Sequence, residues 1–366
     1  MASIATERAM LKLILSLPGP VLRMLSGGDP VEAGGRTLDP RFQFLAHQSR
    51  RNPPMSALTP QQARAGAARG FASAAGRPEP GVRVSDRTVP GAAGELPARL
   101  YRPADQDPRA PLIVWFHQGG AVIGDLETSH AWCTILAAGA RAPVLSVEYR
   151  KAPEHPFPQG LDDALAAFRW ARINAAEFGA PVGRAAVGGD SQGGNFAAVI
   201  CQQLRRMGRR QPDLQVLVYP AVDMLSATQS MTVYADAFPL SRPTMEWFVA
   251  HQVPPGVDPG EVRLSPLHEP DLTGLAQAVV VTAGFDPLVD QGEAYAHRLL
   301  EAHVPVVYRC YDALAHGFLS FGLIPSADTA QREIAGLVRQ AIDGLLPAAA
   351  EQQLMTEQMA LEHTDL

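Results

Sequence analysis

The chain has 366 residues, a formal net charge of −6, 46% hydrophobic and 19% charged residues, which is the composition of a globular protein long enough to bury a large core. The arginines are scattered and no basic run occurs, which argues against nucleic acid as a partner. Cys133, Cys201 and Cys310 lie far apart without CxxC spacing, so neither a disulfide framework nor a zinc site is expected.

The N-terminal segment 10–17 reads MLKLILSL and could be mistaken for the apolar core of a secretory signal peptide. It is short, carries Lys12 and is followed by no small-x-small cleavage site, which argues against a signal peptide. No stretch approaches the roughly 18 uninterrupted apolar residues of a membrane span. We therefore expect a cytoplasmic protein, and association of this amphipathic segment with a lipid surface is left open.

Residues 1–80 contain helical patches such as 60–75 but show no strand pattern, whereas from Gly81 onward short apolar runs alternate with longer helical patterns. That alternation is typical of an α/β fold. We predict strands at 82–89, 98–101, 112–116, 144–149, 185–189, 214–219, 278–283 and 306–311. We predict helices at 128–139, 161–174, 193–207, 291–302 and 329–345. The expected result is a mostly parallel, eight-stranded sheet flanked by helices.

The connection at 224–270 is far too long for a turn and contains aromatic and Met-rich segments with a helical sequence pattern. Loops longer than about 15 residues are usually functional in compact domains. We expect this insertion and residues 1–80 to form a helical cap over a sheet domain of residues 81–223 and 271–346. The alternative that the insertion only covers exposed core stays open, and residues 347–366 are expected to be a polar tail.

The sequence VGGDSQGG places Gly189, Ser191 and Gly193 in the pattern G-x-S-x-G between a predicted strand and a predicted helix. In a nucleophile elbow the serine projects its hydroxyl above the sheet, and the flanking residues are small because strand and helix nearly touch. Ser191 is therefore the candidate nucleophile. The alternative is a glycine-rich turn that does no chemistry or that grips a phosphate.

A serine nucleophile needs a base, and the base needs an acid that orients it. When the serine lies on a nucleophile elbow, the three residues follow in the chain order Ser, Asp or Glu, His. Asp286 follows a predicted strand, and His316 lies in the loop DALAHGF after the next one. Asp223 is the rival acid because it also follows a strand. We prefer Asp286, since it follows the last strand before the histidine, and we expect Asp290 to cap or pair locally.

An acyl-transfer site also needs donors for the oxyanion of the tetrahedral intermediate. The predicted strand 112–116 runs into a glycine-rich loop, and we assign donor N–H groups to Gly119 and Gly120, with the N–H of Gln192 completing the set. The side chain of His117 is expected to hold this loop in place.

These motifs resemble those of the hormone-sensitive lipase-like family of microbial esterases, over roughly residues 111–318. HQGG at 117–120 is similar to that family's HGGG, GDSQGG to its GDSAGG, and VEYRKAPEHPFP, DPLVDQG and HGF to its other motifs. Two positions depart from the pattern: Gln118 replaces the first glycine of HGGG, and Gln192 replaces the alanine after the nucleophile.

The resemblance implies an α/β-hydrolase fold with a helical cap, no metal or organic cofactor, and hydrolysis of short- to medium-chain acyl esters by a Ser-His-Asp triad. It also makes a homodimer plausible. Amide or carbamate hydrolysis on the same triad remains an alternative, as does a receptor for a small ligand that has lost catalysis. The residues expected to line the substrate pocket are Tyr234, Phe238, Leu240, Phe248, Phe285 and Phe318.

Overall fold

The computed structural model describes residues 3–225 and 227–344. Their strands are β1 (Glu32–Ala33), β2 (Arg36–Thr37), β3 (Val82–Pro90), β4 (Glu95–Pro103), β5 (Leu112–Phe116), β6 (Val144–Val147), β7 (Ala185–Asp190), β8 (Gln215–Val218), β9 (Ala278–Phe285) and β10 (Val306–Ala315). Their α-helices are α1 (Ile4–Leu15), α2 (Gly19–Met24), α3 (Pro40–Ser49), α4 (Pro60–Ala74), α5 (His130–Ala140), α6 (Gln159–Ile173), α7 (Gln192–Arg206), α8 (Gln229–Val233), α9 (Arg242–Gln252), α10 (Val289–Glu301) and α11 (Pro325–Ile342).

Strands β3 to β10 form one sheet in the order β10-β9-β8-β7-β5-β6-β4-β3. All neighbours from β10 to β6 are parallel, and β4 pairs antiparallel with both β6 and β3. The predicted α/β fold with a mostly parallel, eight-stranded sheet is therefore confirmed. The carboxyl ends of the parallel strands meet at one edge, where this class of sheet carries its ligand sites.

Two helical layers cover the two faces of the sheet, because the side chains of each strand alternate between the faces. In β5, Leu112, Val114 and Phe116 join a core cluster shared with α6, α7 and α10. Ile113 and Trp115 join a second cluster shared with α5 and α11. Both sets are fully buried, which explains why β5 reads as a continuous apolar run.

The structure corrects two expectations from the sequence. Residues 1–80 do contain strand: β1 and β2 form a hairpin whose two-residue arms are too short to show an alternating pattern, and Gly34 and Gly35 turn between them with positive φ. The helix predicted at 329–345 begins earlier, at Pro325, because proline is well suited to the first turn of a helix. It ends at Ile342, whereas Leu345 and the tail 347–366 lie outside the described residues.

Helix α4 of the N-terminal region and helix α9 of the insertion meet beside the loop that follows β5. A third apolar cluster contains Ala63 of α4, Trp247 of α9, and Val122 and Ile123 of the loop after β5, with Phe248 packed against it. Helix α4 is held at its start by a capping box between Thr59 and Gln62. No helix among residues 3–225 and 227–344 has the length and apolarity needed to cross a bilayer.

Candidate active site

Ser191 sits at the sharp turn between β7 and α7. Its backbone has φ 55° and ψ −115°, a conformation that costs energy for any residue with a side chain. Hydrogen bonds hold the strained turn, since the Ser191 N–H donates to the carbonyl O of Val218 at 2.9 Å and its own carbonyl O accepts from Asn195 at 3.0 Å. The strain is therefore maintained by β8 on one side and by the first turn of α7 on the other.

The glycines around Ser191 are required by the close approach of strand and helix. A Cβ on Gly189 would collide with the backbone of Gly193, and a Cβ on Gly193 would collide with the carbonyl oxygen of Phe116 in β5. The pattern G-x-S-x-G is thus explained by packing, as expected of an elbow.

The structure brings Ser191, His316 and Asp286 together in one hydrogen-bonded chain, although the serine and the histidine are 125 positions apart. The Nε2 atom of His316 lies 3.0 Å from Ser191 Oγ, and Nδ1 lies 2.6 Å from Asp286 Oδ2. Asp286 directly follows β9, and His316 directly follows β10. All three side chains are buried, with 8% of Ser191, 5% of His316 and none of Asp286 exposed.

Asp286 is itself oriented by the backbone beyond β9. Its second carboxylate oxygen, Oδ1, accepts the N–H of Leu288 at 2.8 Å. Because a carboxylate only accepts, its contact with His316 requires the proton to be on Nδ1, which leaves Nε2 free to accept from the hydroxyl of Ser191. The arrangement therefore selects the imidazole tautomer that a general base needs.

The rival carboxylates have other partners. Asp223 accepts from His268, with 3.0 Å between Oδ1 and Nε2, and is not part of the chain that includes Ser191. Asp290 lies in the first turn of α10, and its Oδ2 accepts the N–H of Ser230 at the start of α8. The position of each after a strand end does not by itself distinguish an acid of the triad from a local capping group.

The loop after β5, residues 117–124, carries the predicted oxyanion donors and is called the donor loop below. It emerges next to the elbow because β5 pairs with β7, placing Phe116 opposite Gly189. Gly119 and Gly120 have φ of 127° and 56°, which side chains rarely adopt. In the described chain no backbone carbonyl accepts from the N–H of Gly119, Gly120 or Gln192.

His117 is the first residue of the donor loop, and its side chain is buried. Its Nδ1 donates to the carbonyl O of Gln118 at 2.7 Å, and its ring stacks on Tyr149 with 4.4 Å between centroids. The Tyr149 hydroxyl donates to the carbonyl O of His117 at 2.9 Å. Burial lowers the pKa of His117 to about 4, so the ring is neutral at pH 7. These contacts fix the start of the donor loop.

Gln118 and Gln192, the two departures from the family pattern, are both buried. The Gln192 amide donates to Asn195 Oδ1 at 3.3 Å, and Asn195 in turn donates to the carbonyls of Ala221 and Leu264 at 2.7 Å each. The Gln118 amide donates to Ser320 Oγ at 2.7 Å. Each glutamine thus joins a hydrogen-bond network within the protein.

The aromatic residues expected to line the pocket have different surroundings. Phe248 lies against Gly120, so closely that a Cβ on Gly120 would collide with its ring. Tyr234 packs on Phe285, and its hydroxyl donates to the carbonyl O of Ala33 at 3.1 Å.

Phe318 is fully buried between Tyr219 and Tyr311. Phe238 packs near Phe321, and Leu240 is buried.

Sequence reasoning passed over a buried carboxyl group beside the nucleophile. Asp190 accepts from the hydroxyl of Tyr219 at 3.1 Å and from the indole of Trp115 at 3.3 Å. Burial raises its pKa to about 7, although both donors oppose that rise. Tyr219 also accepts the N–H of Leu319 at 3.3 Å and lies against the ring of His316. A charged residue at the end of a fully apolar strand was the signal that could have indicated this group.

Comparison with known proteins agrees with this geometry. A family model described as alpha/beta hydrolase fold matches residues 113–320. The carboxylic ester hydrolase LipN of Mycobacterium tuberculosis is 43% identical over 317 residues, covering 84% of each chain. The ethyl acetate hydrolase of Pseudomonas putida is 36% identical, covering 75% of this chain and 88% of the relative.

Solved structures give the same result. The ester hydrolase EH1AB1 from the metagenome of Lake Arreo superposes with a TM-score of 0.80 at 38% identity, covering 82% of this chain and 98% of that chain. The hyperthermophilic esterase of Pyrobaculum calidifontis has a TM-score of 0.76 at 36% identity, covering 82% and 96%. The chain therefore belongs to the α/β-hydrolase-fold family, in its hormone-sensitive lipase-like group.

Proposed function

We propose that this protein hydrolyses carboxylic esters with short- to medium-chain acyl groups through an acyl-enzyme formed on Ser191. The hydrogen-bonded chain from Ser191 through His316 to the buried Asp286 is the observation that carries the proposal. The esterases among its relatives and structural neighbours support the same reaction class.

His316 acts as the general base in the first step. As the Ser191 oxygen attacks the ester carbonyl, its proton passes to Nε2, and the imidazolium that forms is stabilised by Asp286 on its other side. Burial of all three groups strengthens these interactions, since little water competes for the same atoms.

The negative oxygen of the tetrahedral intermediate is received by the N–H groups of Gly119, Gly120 and Gln192. Such preorganised donors are each worth roughly 3 kcal/mol in acyl transfer. The alcohol leaves with the proton from Nε2, and water, deprotonated by the same imidazole, then releases the acid. Every step uses groups of this chain and water, so no metal or organic cofactor is needed.

Residues 1–80 and 224–270 are proposed to form the cap, and 81–223 with 271–346 the catalytic domain. The apolar cluster between α4, α9 and the donor loop supports this division, because it joins both parts of the cap beside the site. Phe248, packed on Gly120, is the best supported pocket residue. We further propose a cytoplasmic location and leave open a homodimer.

A chain-length series of p-nitrophenyl esters tests the function, with wild type compared with Ser191→Ala. Turnover by the wild type should be highest on short to medium acyl chains and should be lost in the variant. Absence of turnover above the variant on every ester, with both proteins folded, would favour a protein that only binds a ligand. Matched p-nitroanilides show whether amides are also cleaved.

A further inference from the structure

Two loops from distant strands must act on the same substrate carbonyl. The donor loop follows β5, whereas the loop that carries His316 follows β10 at the edge of the sheet, and β7, β8 and β9 lie between them. Because the hydrogen bonds of the sheet connect β5 and β10 only through three other strands, small changes in sheet twist alter the distance between the ends of β5 and β10. A direct contact between the loops would remove that freedom.

Gln118 makes this contact. Its amide Nε2 donates to Ser320 Oγ at 2.7 Å, 202 positions along the chain, and only 5% of Gln118 and 3% of Ser320 is exposed. Ser320 Oγ also lies 3.5 Å from the carbonyl O of Thr128. The other end of the amide is equally enclosed, since a Cβ on Gly317 would lie 3.0 Å from Gln118 Oε1.

The contact reaches both parts of the catalytic machinery. Gln118 directly precedes Gly119, and its carbonyl O is held by the ring of His117 at 2.7 Å. Ser320 lies in the turn Phe318–Ser320, and its N–H donates to the carbonyl O of Gly317, the residue after His316, at 2.9 Å. One hydrogen bond thus connects the residue before the oxyanion donors with the turn after the base.

We propose that Gln118 is a positioning residue: through Ser320 it sets the spacing between the oxyanion donors and the His316 imidazole. The inference rests on the proposed ester hydrolysis. Both groups act on the transition state, one on the developing oxyanion and the other on the proton in transfer. Loss of the contact should therefore lower kcat and leave KM nearly unchanged.

Gln118→Met keeps the length of the side chain and removes its hydrogen bonds, and Ser320→Ala removes the same bond from the other side. A misplacement of 1 Å in a catalytic group can cost about 100-fold in rate, so a partial loosening should lower kcat by about tenfold. We expect each variant to show this loss with KM within about twofold. Binding of an organoboronate that mimics the tetrahedral intermediate should weaken in parallel.

The double variant Gln118→Met/Ser320→Ala distinguishes a shared contact from two separate effects. If Gln118 acts through Ser320, the double variant is no slower than either single variant. Gln202→Met is the matched control, because it removes a buried glutamine amide of α7 that donates to the carbonyl O of Pro266 at 2.9 Å instead. It should lower the melting temperature and leave kcat unchanged.

Unchanged kcat in either folded single variant, or losses that multiply in the double variant, would overturn the inference. If Gln118→Met does not fold, Ser320→Ala tests the same hydrogen bond. The wild type and Ser191→Ala are assayed alongside, so a failure of ester hydrolysis itself appears as equal rates for those two proteins. A failure of the inference alone leaves wild-type turnover intact.

Discussion

Arg64 of α4 donates from Nε to the carbonyl oxygen of Val122 in the donor loop at 2.8 Å, and so ties the N-terminal region to the loop that carries Gly119 and Gly120. The same guanidinium donates from Nη2 to the carbonyl O of Ala152 at 2.7 Å. Ala152 in turn donates its N–H to Ala121 at 2.7 Å. The far side of the donor loop is therefore held from outside the sheet.

Arg64→Leu should lower kcat for ester hydrolysis by about tenfold, because the donor loop loses its bond at Val122, and Ala152, which holds Ala121, loses its own support. Glu154→Gln is the matched control. Glu154 pairs with the same guanidinium at 2.6 Å but is half exposed, and its loss leaves both carbonyl contacts in place. Steady-state kinetics on both variants would contradict this role for Arg64 if they showed equal losses or none.

Asp286→Asn should lower kcat by about 10⁴-fold, as expected when the carboxylate that selects the histidine tautomer is replaced by an amide. The amide N–H can face Nδ1, which then holds no proton, and Nε2 becomes a donor that cannot accept from Ser191. Asp223→Asn, in the rival carboxylate paired with His268, should keep wild-type kcat within about twofold. The reverse pattern would show that the acid has been misassigned.

The stability of the fold should depend on pH through Asp190. Its pKa is raised by burial to about 7, so the folded state holds this proton more tightly than the unfolded state, whose carboxyl titrates near its ordinary value. The contribution to stability is complete below about pH 4 and is lost as pH rises to about 7. The Asp190→Asn variant has no ionisable group at this position, so it should not show this loss of stability.

Melting temperatures at pH 5 and pH 8 measure the effect. The decrease in melting temperature from pH 5 to pH 8 should be smaller in Asp190→Asn than in wild type by roughly 3 °C or more. All other groups titrate in both proteins, so the difference between the two falls isolates Asp190. Equal falls would mean that Asp190 is already ionised at pH 5.

Gly193→Ala should prevent formation of the elbow, because its Cβ would collide with the carbonyl oxygen of Phe116 and neither backbone can move without separating α7 from β5. We expect loss of activity together with a melting temperature lowered by several degrees. Gly336→Ala in α11 is the control: nothing lies within 4 Å of its Cβ, and alanine is the better helix former by about 1 kcal/mol. Its melting temperature should rise. Equal effects at both positions would exclude the packing argument.

Local sequence predicts most of the fold and singles out the candidate residues at the centre of the site. All eight strands of the main sheet are predictable from sequence. The central ones are short apolar runs, and Leu112–Phe116 is placed to the residue. Glycine spacing and strand ends are local features, and they are what single out the elbow, Asp286 and His316 as candidates. Their meeting, however, was inferred from the order of the chain and not from contact.

Contacts between distant side chains could not be predicted. The bond from Gln118 to Ser320 spans 202 positions, and that from Arg64 to Val122 spans 58, so neither leaves a periodic pattern. The buried carboxyl of Asp190 is hydrogen-bonded by Trp115 in β5 and by Tyr219 directly after β8, two elements that are distant in sequence. Sequence indicates which element a residue occupies, whereas the strand order decides which elements meet.

Covalent trapping identifies the nucleophile of this protein. Reaction with a p-nitrophenyl phosphonate, followed by intact-mass measurement and peptide mapping, should show one phosphonyl group per chain on the peptide that contains Ser191, with activity lost in proportion. Ser191→Ala should remain unlabelled and inactive. Label on another residue, or ester turnover that continues in Ser191→Ala, would show that Ser191 is not the nucleophile.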